Sequence, residues 1–432
     1  MCMREIFWDF FNEIHFPIIS HEESLYEILE ETYHKVRSAT TRLSESAKKI
    51  VMESKMKEHM DKILSLCSQS EDAEEKWFAL FNSIEWFSLN FNNDILHWCK
   101  VRKDEEKSFG WRDLYYIPAK EKDKATLNRF SSAGEPALYL AGNLPIAWSE
   151  ITYPQVFWVS WYSLGDIKKP ALYLMSPKEF KQDYLEPKLP FDESSVASVK
   201  EYLSALPVIL ACAVRKNDDA KDRNEYFISL KLSKWVAKGD KYSGIVYWTT
   251  LNSCFAVKDG HRKHNAVFPL ENEEMDFEKY DELNNLIKIS SPQKFEIRTV
   301  LNMDTLTQEM ILNAKKEISK LIPNEQPSTI DLLCCSLRKF EFLVETLYRD
   351  ITDETLIIIQ LIYEYLNAMG RHLKSKNVET TKMTNLNILL EVLGKIVTSS
   401  SIMNTEKEYG CDLITVSERL KSENEHEQPT ND

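Results

Sequence analysis

The sequence predicts an α+β fold, and three observations carry that prediction. Between about 95 and 300, short apolar and β-branched runs alternate with stretches of helical periodicity. No glycine-loop βαβ unit joins them, which disfavours a doubly wound parallel sheet. Before and after this stretch the pattern is helical for long spans.

Taken in order, residues 1–90 read mainly as helix. Glu22 to Val36 places apolar or aromatic residues at 25, 26, 28, 29, 33 and 36, close to a 3.6-residue period. Residues 41–68 continue with polar helix formers and a stripe at 52, 56, 60, 63, 64 and 66. Aromatic-rich Trp77 to Phe91 is expected to pack on the α+β region after it. Strands are expected at 96–101, 137–141, 156–162, 171–174, 244–249, 253–257, 265–269 and 286–289. Helices are expected at 145–151, 176–182, 195–215 and 225–237. From about 303 the helical pattern returns. Asp304 can cap a helix that ends at Pro323, and 329–348, 353–373 and 383–398 add three more, a small bundle or cap. The organisation expected is an N-terminal helical region (1–92), an α+β domain (93–300), a C-terminal helical region (301–402) and a disordered polar tail (403–432).

Composition excludes several chemistries. The 432 residues carry 54 basic and 68 acidic side chains, a formal charge of -14. Neutralising phosphates needs Lys and Arg, so no direct nucleic-acid binding is expected. Only 10 residues are glycine and no two lie two apart, so a G-x-G-x-x-G loop cannot exist. Gly239 and Gly244 have the Walker A offset, but Ile245 and Val246 come next where Lys and Ser/Thr are needed. The 8 cysteines include no C-x-x-C, and His21-Glu22-Glu23 lacks the second His of a zincin. No metal is expected, and reduced thiols fit a cytoplasmic location. Charges interrupt the first apolar stretch, and the longest strongly apolar run, Leu356 to Tyr363, is short for a span. No membrane partner is expected. The basic loop Lys258 to Lys263, with His261 and His264 around it, reads as a solvated turn.

One segment carries chemistry. Asn128-Arg129-Phe130-Ser131-Ser132-Ala133-Gly134-Glu135-Pro136 sets an arginine in a turn closed by Gly134 and Pro136. Ala137 to Ala141 then forms a strand holding Tyr139. A short helix, opened by Pro145, comes next and presents Glu150. Arg129, Tyr139 and Glu150 can converge at this strand–helix corner. Spacing alone is equally served by a surface ion pair between Arg129 and Glu150 with Tyr139 in the core.

This block resembles the RES domain, a family named for its Arg, Glu and Ser. The family pattern runs G-R-[WFLA]-[NS]-x-x-G-x-P-x-[IL]-Y-[LT]-[AS], then, after a gap, a small residue and Glu. Arg129, Ser131, Gly134, Pro136, Leu138, Tyr139, Leu140, Ala141 and Glu150 fall in register with it. A later block, Glu225-Tyr226-Phe227-Ile228 and then Gly244-Ile245-Val246-Tyr247-Trp248-Thr249, resembles the family's second block, and the likeness covers about 95–270. Two departures matter. The early strand of the family carries Tyr-Arg-x-Arg, where this chain has Lys100 and Arg102. Lys keeps the charge and loses the bidentate fork. The serine of the name is Thr249, which keeps the hydroxyl.

The resemblance implies an ADP-ribosyltransferase-like fold and chemistry on NAD as substrate, in toxins often paired with an antitoxin protein. It implies cleavage of the nicotinamide–ribose bond by phosphorolysis or hydrolysis. Glu150 would stabilise the positive charge that builds on the ribose, and Arg129 with Arg102 and Lys100 would hold the pyrophosphate. Tyr139 would stack on the nicotinamide, and Thr249 would hold a ribose hydroxyl or an incoming phosphate. Transfer of ADP-ribose to a specific protein shares the same residues. A catalytically weak interaction scaffold is the third reading, motivated by Lys100, Thr249 and the helical flanks. The flanks can regulate access or mediate oligomerisation.

Overall fold

The computed structural model describes residues 2–14, 16–20, 24–68, 74–91, 98–103, 107–117, 119–142, 144–151, 156–186, 191–216, 224–249, 264–270, 285–296 and 414–419. The expected strand 253–257, the loop 258–263 and the helices from 304 to 398 lie outside these residues.

The chain begins α1 (Met3–Asn12), β1 (Ile18–Ser20), α2 (Leu25–Thr41), α3 (Glu45–Glu53), α4 (Met56–Cys67), α5 (Glu74–Ser83) and β2 (Ser88–Leu89). It continues β3 (Trp98–Arg102), β4 (Ala137–Ala141), α6 (Leu144–Glu150), β5 (Val156–Ser163), β6 (Ala171–Leu174), α7 (Pro177–Tyr184) and α8 (Glu193–Cys212). It closes β7 (Val214–Lys216), α9 (Phe227–Lys238), β8 (Ile245–Trp248), β9 (His264–Pro269), β10 (Lys288–Ile289), β11 (Gln293–Glu296) and β12 (Ile414–Thr415). The arrangement is α+β. One mixed sheet runs β12-β10-β5-β3-β4-β9-β8-β6-β2, with β11 beside β5, and β6–β8 is its parallel pair. A separate pair joins β1 to β7.

Local chemistry sets the helix ends. Ser24 caps α2 by accepting the Glu27 N–H, while the Glu27 carboxylate takes the Ser24 N–H at 2.9 Å. Ser176 and Glu179 repeat the device at α7, with Pro177 in the first turn. The stripe expected over 41–68 is broken at Lys55, which adopts a left-handed conformation (φ 58°) between α3 and α4. The break explains why Met52 is 70% exposed while Met56, Met60 and Ile63 are fully buried. Both helices pack on α8, but α3 buries Ala47, Ile50 and Val51 in place of Met52.

The N-terminal helices and the sheet share one continuous core. Trp77 meets Phe227 at 5.7 Å, Phe81 meets Trp235 at 5.8 Å, and Phe11 meets both Phe180 and Tyr202. Pairs of this kind contribute ~0.5–1.5 kcal/mol each beyond their burial. β2 pairs with β6, so the chain before 92 also supplies a strand. Strands β1 and β2 thus precede position 92, and the core runs across it. At the centre lies α8, long and apolar enough to cross a membrane by composition. Every residue from Tyr202 to Cys212 is buried within the protein, as in the core helix of a globular domain.

Two further differences concern the sheet edge. β10 and β11 run along β5 with a one-residue shift in register between them, a β-bulge around Ser290. The polar tail expected to be disordered includes β12, which pairs with β10. Val416 is fully buried there and Arg419 donates to the Ile289 carbonyl at 3.0 Å. Buried apolar contact and a backbone ladder hold this short segment despite its polar surroundings.

Two glycines are demanded by geometry. Gly134 has φ +78°, a conformation that side chains rarely adopt. A Cβ on Gly244 would sit 2.6 Å from the Val267 carbonyl oxygen, so only glycine lets β8 begin this close to β9.

Candidate functional site

The site is built on one rung of the sheet. Cys99, Ala141, Asn265, Tyr247 and Leu174 are directly paired across β3, β4, β9, β8 and β6. Directly paired residues share a face, and faces alternate along each strand. Tyr139, two residues from Ala141, therefore stands on the same face as Asn265 and Tyr247.

The arginine turn is fixed over this face. The Tyr139 hydroxyl accepts the Phe130 N–H at 3.0 Å and meets the Ser131 hydroxyl at 3.0 Å. Ser233 of α9 donates to the Phe130 carbonyl at 2.6 Å, and the Phe130 ring packs on Tyr247 at 4.6 Å. Arg129 is 8% exposed. Its Nη1 donates to the carbonyls of Cys212 and Val214, the latter at 3.2 Å, and its guanidinium lies 5.1 Å from the Tyr226 ring centre. The cation thus sits at the carboxyl end of α8, where the helix dipole favours positive charge.

Glu150 ends α6, which returns from β4 along the same face. Its Oε1 accepts from the Thr249 hydroxyl at 3.4 Å and from Asn265 Nδ2. Thr249 is 2% exposed and Asn265 3%. Among the described residues Oε2 makes no hydrogen bond. Glu150 itself keeps accessible surface, yet desolvation by the surrounding protein pushes its carboxyl up to about 7. Hydrogen bonds from Asn265 and Thr249 and the Arg129 charge pull the other way. Glu150 thus keeps solvent contact while the surrounding protein disfavours its charge. Glu150 takes its hydrogen bonds from Thr249 and Asn265, and Arg129 acts on it through charge. The surface ion pair that spacing allowed is not the arrangement found.

Four of the six sequence-predicted residues meet here: Arg129, Tyr139, Glu150 and Thr249. Lys100 and Arg102 do not. They are one and three residues from Cys99, so they leave β3 on the opposite face. Lys100 donates to the Tyr115 carbonyl at 2.7 Å, and burial, with some help from Arg102, lowers its ammonium to about 7. Arg102 lies 3.9 Å from Asp113 and 5.5 Å from the Phe109 ring centre. β3 and β4 touch at the single pair Cys99↔Ala141. On that opposite face the segment after Gly110 bridges the two halves of the sheet. Tyr162 donates to the Leu114 carbonyl and Tyr116 to that of Phe268.

Tyr139 also differs from expectation. Its ring is partly buried and its hydroxyl is committed to the arginine turn. Burial raises its pKa, against the two hydrogen bonds. Sequence reasoning missed Asn265. The only signal was a polar residue opening an apolar strand. Behind Asn265, His264 faces the other way. Its Nε2 lies 2.6 Å from Glu179 Oε1 and 2.9 Å from the Tyr173 hydroxyl. Burial opposes ionisation of Glu179, but the His264 charge and hydrogen bonds from His264 and Ser176 outweigh it and hold the carboxyl below its ordinary value.

Known proteins give limited comparison. The chain is 24% identical over 203 residues to a Bacillus subtilis (strain 168) protein named "Putative toxin YopC". The match covers 46% of this chain and 46% of that protein, so it spans under half the length of its relative. No protein-family model matches the chain. No solved structure matches it significantly.

Proposed function

We propose that the chain is an NAD-consuming enzyme of the RES type that cleaves the nicotinamide–ribose bond and acts as a toxin. The observation that carries this reading is the Glu150 carboxylate, with Oε1 tied to the sheet, Oε2 making no hydrogen bond among the described residues, and the Arg129 charge acting on it. When the N-glycosidic bond breaks, its electron pair leaves with nicotinamide, which departs neutral. Positive charge then builds on the ribose carbon, and a carboxylate oxygen facing that carbon stabilises it. Water or phosphate adds to the same carbon and loses a proton. The pyridinium of NAD is itself a cation, so its arrival beside Glu150 favours the ionised carboxylate. Similarity to a protein named as a toxin supports the biological role.

The test is incubation of purified protein with NAD, with and without phosphate, with products separated by chromatography. Nicotinamide release is expected, and ADP-ribose or its phosphorylated form identifies the acceptor. Glu150→Ala should lower the rate by about 10²–10⁴-fold, the usual contribution of a positioned acid–base group. No NAD loss, and no transfer to lysate proteins, would sink the reading.

One observation favours a second reading, the interaction scaffold. Lys100 and Arg102, the cations expected to grip pyrophosphate, face away from Glu150. If calorimetry finds NAD binding while chromatography finds no turnover, the scaffold is preferred. A growth defect that Glu150→Ala abolishes would exclude it.

A further inference from the structure

The Asn265 side chain is used asymmetrically. Its Nδ2 donates to Glu150 Oε1, while its buried Oδ1 makes no hydrogen bond among the described residues, with Tyr247 its neighbour across the rung. A buried amide kept for stability alone would satisfy both ends, because an orphaned buried acceptor is destabilising. The strand around it is firmly held. Asn265 pairs with Ala141 on one side and Tyr247 on the other. The preceding residue, His264, is anchored through the sheet by Glu179 and Tyr173, and its carbonyl accepts the Gly142 N–H at 2.8 Å. Gly142 opens the turn into α6. The strand that carries Asn265 is thus fastened, one residue before it, to the turn that leads into the helix carrying Glu150.

We propose that Asn265 is the positioning residue of this site, holding Oε1 of Glu150 against the sheet so that Oε2 is left for the substrate. The role given to Oε2 rests on the NAD-cleaving reading. The positioning is observable without turnover. Thr249 assists from the end of β8, at the longer distance of 3.4 Å. The other ionisable groups around Glu150 are Arg129 from the turn, Tyr247 from β8 and Cys99 from β3. Of these Arg129 alone favours the carboxylate through charge. Loss of the Asn265 donor therefore removes a hydrogen bond to the ionised form and leaves desolvation less opposed.

The experiment titrates Glu150 directly. Carboxyl carbons of glutamate are labelled with ¹³C, and the Glu150 signal is identified by its absence in Glu150→Gln. In Asn265→Leu, close in size but without a donor, the midpoint should rise by about one pH unit. Thr249→Val should raise it less. Asn265→Ser, too short to reach Oε1, gives the same measurement if the leucine variant does not fold. An unmoved or lowered midpoint in the folded variant overturns the proposal. Rates with NAD as probe should show kcat falling more than KM rises, with the acidic limb of the kcat profile moved upward by the same shift. If wild type ignores NAD while the midpoint moves, the NAD reading falls and the positioning stands. If wild type consumes NAD and the midpoint stays, the positioning falls and the NAD reading stands.

Discussion

Replacing Tyr139 with Phe separates two roles that a tyrosine can combine. The ring stays, and only the hydroxyl is removed. That hydroxyl accepts the Phe130 N–H at 3.0 Å and meets the Ser131 hydroxyl at 3.0 Å. Ser131 is 6% exposed, so water replaces little on that side. Leaving a buried donor unsatisfied costs ~1–3 kcal/mol, so about 2 kcal/mol is expected for the pair. With a urea slope of ~2 kcal/mol/M, the unfolding midpoint should fall by roughly 1 M. Tryptophan fluorescence reports the transition, since Trp77, Trp98 and Trp111 lie in the shared core. If the ring also stacks on nicotinamide, KM for NAD stays near wild type while kcat falls with the loosened Arg129 turn. A midpoint equal to wild type would refute the claim that the hydroxyl pins this turn.

Other expectations rest on single contacts. In Gly244→Ala the new Cβ meets the Val267 carbonyl at 2.6 Å and the Phe268 ring at 2.9 Å. Backbone does not yield there, and a loss of ~1–3 kcal/mol should appear as a lower melting temperature. An unchanged melt would show that β8 and β9 are further apart than described. Glu150→Gln should stabilise the protein at pH 8 and have little effect near pH 4. The folded carboxyl titrates at about 7 against 4.5 ordinarily, so the ionised form is disfavoured by folding and its cost grows as pH rises through that window. A destabilised Glu150→Gln at pH 8 contradicts this. Glu179→Gln should act in the opposite sense. Its carboxyl is held below the ordinary value, so its contribution is present at neutral pH and fades on acidification. Thermal melts at pH 7 and pH 3 check it, and equal losses at both would be the wrong result. Arg129→Lys keeps the charge, but its ammonium ends a shorter side chain than the Nη1 that donates to both carbonyls, and it loses the planar guanidinium over Tyr226. A loss of ~1 kcal/mol in urea unfolding is expected, and none would mean that the α8 carbonyls do not hold this side chain.

Local signals were readable where chemistry is local. Strands 137–141 and 171–174 match β4 and β6 to the residue, because turn residues and β-branched or aromatic runs bound them. The helix expected from 176 and the turn at Gly134 were equally visible. What a single sequence could not express is register. Lys100 and Arg102 share a strand adjacent to β4, and only the pairing Cys99↔Ala141 reveals that they face away from Tyr139. The same holds for Asn265, whose partner Glu150 lies 115 residues earlier. The break at Lys55 escaped for another reason. The apolar period runs on across it, and the left-handed residue is not glycine.

The adjacency of His264 and Asn265 has a consequence for how the chain finds its final alignment. A slip of β9 by one position would turn each side chain to the other face. Asn265 would leave Glu150, and His264 would leave the closed pocket that Glu179 and Tyr173 form around its imidazole. Both contacts are lost, one on each side of the sheet, so a misaligned strand is penalised twice. The buried Tyr173–His264–Glu179 cluster takes no part in the proposed chemistry. Its contacts add to the buried face of β9 in fixing the alignment of that strand.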